Sequence, residues 1–128
     1  LAYMHSRHLM HRDVKPSSLL IDIDGSVKVT NLGNLRHLAK TTGKAASVVG
    51  TTCYFAPERI VGVAFSNSVD VWGLGLTVLE AAVGEFPFKG YEQSYMALLE
   101  HIVDCASPLT AHPHAHLLSL PLRAALHR

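Results

Sequence analysis

Cysteine is scarce. Cys53 and Cys105 are the only two in 128 residues and share no Cys-x-x-Cys spacing, which argues against a disulfide framework or a thiolate metal site and favours a reducing, cytoplasmic setting. An excess of one charge is lacking too. Eleven Lys and Arg face ten Asp and Glu, a formal net charge of +1, so no field is expected that would gather nucleic acid or an anionic membrane. Nine histidines could add positive charge only below neutral pH. No run is long and apolar enough to span a bilayer: residues 69–83, the most apolar stretch, carry Asp70 and Glu80 and fall short of the roughly 20 residues required. That stretch reads as a buried core helix. There are no internal repeats.

What is present is apolar for its size. Only 16% of residues are charged and the mean hydropathy is +0.21, more apolar than a small free-standing domain needs to keep its surface wet. The chain opens on Leu1 without a basic-then-apolar leader, so the expectation is a start inside a longer reading frame and a piece of a larger domain.

The spacing of apolar residues places the elements. Residues 1–8 are compatible with the last turns of a helix. Leu19 to Ile23 and Ser26 to Thr30 are two short β-rich runs around Asp24-Gly25, a dipeptide that favours positive φ, which predicts a hairpin. Residues 31–57 hold three glycines, several hydroxyls and no sustained period, and read as a long functional or mobile loop. Ser66, Asn67 and Ser68 offer caps for a helix over 69–83 that Gly84 and Pro87 stop. Tyr95, Leu98, Leu99, Ile102 and Val103 predict a second amphipathic helix over 91–103. Beyond Cys105 three prolines break the pattern. There the alternating His112, His114 and His116 lack Cys or acidic neighbours and fit a solvated tail better than a metal site.

The chemistry-bearing residues flank the hairpin. His11-Arg12-Asp13-Val14-Lys15-Pro16-Ser17-Ser18 precedes it, Asn31-Leu32-Gly33 follows it, and Ala56-Pro57-Glu58 and Asp70-Val71-Trp72-Gly73-Leu74-Gly75 come later. This order resembles the eukaryotic protein kinases, with their H-R-D-x-K-x-x-N loop, D-F-G turn, A-P-E and D-x-W-x-x-G elements. Lys15, two residues after Asp13, is similar to the serine/threonine type. The stretch from Val49 to Ile60 resembles the V-G-T-x-x-Y-M-[AS]-P-E-R-[IL] pattern of MAP kinase kinases. The resemblance is specific over residues 1–88, softer to 104 and absent afterwards.

The resemblance implies an α+β fold: the mainly α-helical C-terminal lobe of a protein kinase with one short β-hairpin, the N-terminal lobe missing from these residues. Residues 1–104 would form the partial kinase domain and residues 105–128 a divergent or disordered tail. It implies ATP and Mg2+ as cofactors, and a protein substrate or kinase-cascade partner. Asp13 would orient the substrate hydroxyl and accept its proton, and Lys15 would stabilise charge on the transferred phosphoryl group. Gly50 and Thr51 would form a substrate-positioning loop. His11, Glu58 and Asp70 would be structural. An Asp in a first helical turn is equally well a dipole-compensating residue. Thr41 and Ser47 resemble the S/T-x5-S/T phosphosites of plant-type MAP kinase kinases, and a phosphate on Ser47 could pair with Arg12.

Two departures fall on the metal ligands. Ser18 stands at the loop Asn position and Asn31 at the D-F-G aspartate, so neither magnesium position carries a carboxylate. These 128 residues also contain no glycine-rich phosphate loop. The sequence therefore supports a fragment of a serine/threonine or dual-specificity kinase that is inactive as an isolated chain. The competing readings are a pseudokinase-type binding module that docks a kinase or substrate through residues 91–103 and the activation segment without chemistry, and a non-functional gene relic.

Overall fold

The computed structural model describes residues 1–37, 50–91, 94–105 and 107–108. In chain order the regular elements are α1 (Ala2–Ser6), β1 (Leu9–Met10), β2 (Leu19–Ile21), β3 (Val27–Val29), β4 (Arg36–His37), α2 (Pro57–Ile60), α3 (Ser68–Val83) and α4 (Tyr95–Asp104). Single 3-10 turns lie at Pro16–Ser18, Leu32–Asn34 and Thr52–Tyr54.

The hairpin forms with Leu19 opposite Val29 and Ile21 opposite Val27, but its turn is longer than the Asp24-Gly25 dipeptide alone. The strands stop at Ile21 and resume at Val27. In between, the Asp22 carboxylate accepts the Ile23 N–H and the Asp24 carboxylate accepts the Ser26 N–H, both at 2.8 Å. Short acidic side chains thus take local backbone donors that a tighter hairpin would orient differently. Gly25 sits at φ +82°, a conformation that costs glycine nothing.

The expectation of a single β-hairpin is corrected by a second antiparallel ribbon. β1 pairs with β4, Leu9 opposite His37 and Met10 opposite Arg36. Two-residue strands cannot display an alternating period, and their partners are 26 or more positions apart in the chain, so nothing local announces them. The ribbon brings the start of the catalytic-type loop beside the segment that follows the hairpin.

α3 begins at Ser68, with Asn67 as its cap residue, and ends where Gly84 turns to φ +82° and donates its N–H to Glu80 at 2.8 Å. Val69, Asp70, Gly73, Leu76, Thr77 and Leu79 are buried, whereas Val71 is exposed. The helix is therefore central and one-sided rather than sheathed all round. α4 starts at Tyr95, four residues later than its apolar spacing suggested, because the Ser94 hydroxyl caps it by accepting the Ala97 N–H at 3.3 Å. Tyr91 stays outside the helix and stacks on His101, ring centroids 4.2 Å apart, so it joins the apolar face without joining the coil.

Leu76, Phe88, Leu98 and Ile102 form the core cluster, with Tyr54, Trp72 and Phe86 packed around it. Tyr54, Phe86, Phe88 and His101 meet edge to face in succession, at centroid distances of 5.5, 5.8 and 5.5 Å, the favourable geometry for aromatic quadrupoles. Each fully buried aliphatic or Phe side chain contributes about 1.5–3 kcal/mol by leaving water. On its other side α3 meets the loop after β1 backbone to side chain. A Cβ added at Gly73 would lie 2.7 Å from the Val14 carbonyl oxygen, so the glycine lets the helix pack directly on the loop.

Candidate functional site

The site is built on the loop between β1 and β2, residues 11–18. His11 is fully buried. Its Nδ1 accepts the Asp13 N–H at 3.3 Å, so Nε2 carries the ring proton and donates it to the Thr30 carbonyl at 2.7 Å. A single neutral imidazole thereby ties the loop to the end of β3.

Asp70, 1% exposed, reaches the same loop from the first turn of α3. Its carboxylate accepts the N–H of His11 at 2.8 Å and of Arg12 at 2.7 Å, and meets His5 Nε2 at 2.9 Å. Hydrogen bonds to an ionised acceptor are roughly twice as strong as neutral ones. They hold Arg12 at φ +68°, a left-handed backbone that costs a non-glycine residue about 1–3 kcal/mol. Arg59 completes the clamp. Its Nη1 donates to the Arg12 carbonyl at 2.8 Å, and its guanidinium lies 3.6 Å above the centre of the Phe55 ring. Burial and the neighbouring Arg36 lower the Arg12 pKa, and burial and Arg12 lower that of Arg59.

Asp13 faces the segment that enters α2. Its Oδ1 accepts the Thr51 N–H at 2.9 Å, and its Oδ2 lies 3.3 Å from Lys15 Nζ. Lys15 Nζ also donates to the Thr51 hydroxyl. Asp13, Lys15 and Thr51 thus form a closed triangle, its third side made by the Thr51 backbone N–H, beside a water-sized recess that Asp13, Thr51, Phe55 and Arg59 help to line. Gly50, at φ +118°, makes the approach possible. A Cβ there would come within 3.0 Å of the Arg12 carbonyl and 3.2 Å of Asp13 Oδ1.

Ser18 and Asn31 face each other across the open end of the hairpin. The buried Ser18 hydroxyl donates to the Asp13 carbonyl at 2.8 Å. Asn31 Nδ2 lies 3.3 Å from the Ser17 carbonyl and 3.4 Å from Ser18 Oγ. Asn31 sits at φ +59°, a left-handed conformation that Asn tolerates better than most residues.

Of the remaining sequence candidates, Glu58 on α2 accepts the Ser68 hydroxyl at 2.9 Å and so links α2 to α3. Thr41 and Ser47, and with them the pairing of a Ser47 phosphate with Arg12, lie outside the described residues. Most of the proposed tail, residues 105–128, does too. The sequence assigned no role to Arg59, although it stands in the stretch from Val49 to Ile60 that resembles MAP kinase kinases. It also passed over Tyr54 and Glu80, which meet at 2.5 Å, the phenol donating to the carboxylate. No local pattern marks that pair, since its members are 26 residues apart.

The protein kinase domain family model matches residues 1–119. The chain is 46% identical over 114 residues to mitogen-activated protein kinase kinase 2 of Arabidopsis thaliana, covering 84% of this chain and 31% of the relative. It is 46% identical over 110 residues to mitogen-activated protein kinase kinase SIPKK of Nicotiana tabacum, covering 81% and 30%. Over 89 residues it is 45% identical to dual specificity mitogen-activated protein kinase kinase 1 of Dictyostelium discoideum, covering 69% and 14%. The chain spans less than a third of the length of each of these relatives. It belongs to the protein kinase domain family and is of the MAP kinase kinase type.

Proposed function

We propose that the chain is the acceptor-binding part of a protein serine/threonine or dual-specificity kinase of this type, and that as it stands it does not complete phosphoryl transfer from ATP. In this reading Asp13 orients the acceptor hydroxyl and takes its proton, and Lys15 stabilises the charge on the transferred group. The observation that carries it is the triangle of Asp13, Lys15 and Thr51. Phosphoryl transfer asks the protein mainly for positioning and electrostatic stabilisation, and the triangle provides both at one point.

The family reaction also uses ATP with magnesium, and the residues at the two metal positions do not fit that ion. Magnesium takes hard, preferably anionic oxygen in near-octahedral geometry. Here the position of the carboxylate holds a neutral amide whose N–H2 edge faces Ser17 and Ser18, and although the Ser18 hydroxyl alone could still ligate magnesium, the pair offers the ion no anionic oxygen. Losing one well-placed electrostatic group costs about 3 kcal/mol in the transition state, roughly a hundredfold in rate. The same observation favours, as second reading, a pseudokinase-type module that binds without chemistry.

The names of the relatives describe kinases of a mitogen-activated protein kinase, so the proposed partner is a protein of that cascade. Cys53 and Cys105 are free thiols, which suits a cytoplasmic setting. Among the described residues no helix is long and apolar enough to cross a membrane.

A chimera tests the proposal: residues 1–104 placed in the matching part of the Arabidopsis relative, supplied with ATP, magnesium and a MAP kinase. Label transfer is expected at the background of Asp13→Asn, rising about a hundredfold or more when Ser18→Asn and Asn31→Asp are introduced together. Transfer by the unaltered chimera that Asp13→Asn abolishes overturns the inactive reading. Failure of the chimera to bind the MAP kinase overturns the acceptor-binding one.

A further inference from the structure

The Asn31 amide has only one orientation that its neighbours allow. The Ser17 carbonyl can only accept a hydrogen bond, so the edge that meets it at 3.3 Å is Nδ2 and not Oδ1. The same edge lies 3.4 Å from Ser18 Oγ, whose single proton is already committed to the Asp13 carbonyl at 2.8 Å. A directed relay results, from Asn31 Nδ2–H to Ser18 Oγ–H to the Asp13 backbone. Beside it the Thr30 N–H donates to the Ser18 carbonyl at 2.8 Å, and His11 Nε2 donates to the Thr30 carbonyl at 2.7 Å. Neutral hydrogen bonds thus join the loop carrying Asp13 to the end of the hairpin, and beyond it the charged Arg12 Nε donates to the Asn34 carbonyl at 2.7 Å.

The geometry points to a specific role for Ser18 and Asn31: they close the catalytic loop onto the end of the hairpin as an uncharged substitute for a metal bridge, so the shape of the site is independent of divalent cations. A cation entering between them would meet the N–H edge of Asn31, the positive end of the amide dipole, and on the other side only the uncharged oxygen of Ser18, with no carboxylate to compensate. The left-handed backbone at residue 31 strengthens the case, because Asn occupies it at little cost. Exchanging the metal-holding carboxylate for an amide thus keeps the turn while removing the charge. The inference shares with the proposed function the placing of these two residues at the metal positions. Its test needs neither nucleotide nor acceptor protein, so the two can fail separately.

The test uses the full 128-residue chain and the metals themselves. Melting is followed in EDTA and in millimolar Mg2+, and amide resonances are followed during addition of substoichiometric Mn2+. The expected result is an unchanged melting temperature and no selective broadening at residues 17, 18 and 31. Asn31→Asp is expected to melt lower in EDTA and to gain roughly 5 °C or more once Mg2+ stands a hundredfold above its Kd. Selective Mn2+ broadening around Asn31 in the unaltered chain, or a melting temperature that rises with Mg2+, overturns the inference. Should Asn31→Asp fail to fold, Ser18→Ala serves in its place. It removes the middle of the relay, and the carboxamide protons of Asn31 are expected to exchange several-fold faster; unchanged exchange overturns the inference.

Discussion

The Asp70 carboxylate, rooted in the first turn of α3, accepts the backbone N–H of Arg12 at 2.7 Å although the two residues are 58 positions apart. This bond fixes the left-handed turn from which Asp13 projects. The central helix therefore acts as the anvil for the loop, and the loop's geometry depends on a buried charge whose neighbours in sequence are apolar.

Asp70→Asn is expected to destabilise the chain by about 3 kcal/mol or more, because an amide nitrogen would be set against one of two backbone donors and the charge assistance would be lost. Denaturant unfolding of the two proteins measures it. A difference below about 0.5 kcal/mol would show that the loop holds its shape without the carboxylate.

Gly50→Ala should act on the site more than on the core. Its Cβ would press on the Arg12 carbonyl and on Asp13 Oδ1 at φ +118°, a strain of about 1–3 kcal/mol. The Thr51 N–H is the group displaced, so its amide resonance is expected to move while those of α4 stay in place.

Tyr54 carries a pH signature. Burial, followed by the hydrogen bond to Glu80 and its charge, raises the phenol pKa above the ordinary 10.0. The stabilisation that accompanies a raised pKa is complete below the unfolded value and is lost as pH climbs from there towards the folded one. Stability should therefore fall as pH rises above about 10, and Tyr54→Phe should flatten that fall. Tyrosinate absorbance should show one phenol ionising after the others.

Two isoleucines make a control pair. Ile102 is fully buried in the core cluster and Ile23 is fully exposed at the hairpin turn. Ile102→Ala is expected to cost about 2–5 kcal/mol through lost burial and a cavity, and Ile23→Ala to stay within about 0.5 kcal/mol. Similar effects at both positions would mean that the hairpin tip is covered in solution.

The sequence by itself determined the elements whose information is local. The Asp24-Gly25 turn, the apolar spacing of residues 69–83 with Gly84 as its stop, and the ordered motifs around Asp13 and Glu58 are short-range patterns, and short-range patterns follow from backbone sterics and side-chain period. Even there the boundaries moved where a side chain competed for a backbone donor, as Asp22 does at the hairpin and Ser94 at the start of α4.

Tertiary structure alone decided what depends on distant partners. The β1–β4 ribbon, the Tyr54–Glu80 bond, the clamp of Arg59 on the Arg12 carbonyl and the amide edge that Asn31 turns to Ser17 and Ser18 each join residues between 13 and 47 positions apart. Residue identity says that Asn31 is neutral. Only the folded chain, by setting a carbonyl that can do nothing but accept beside it, says which way its dipole points.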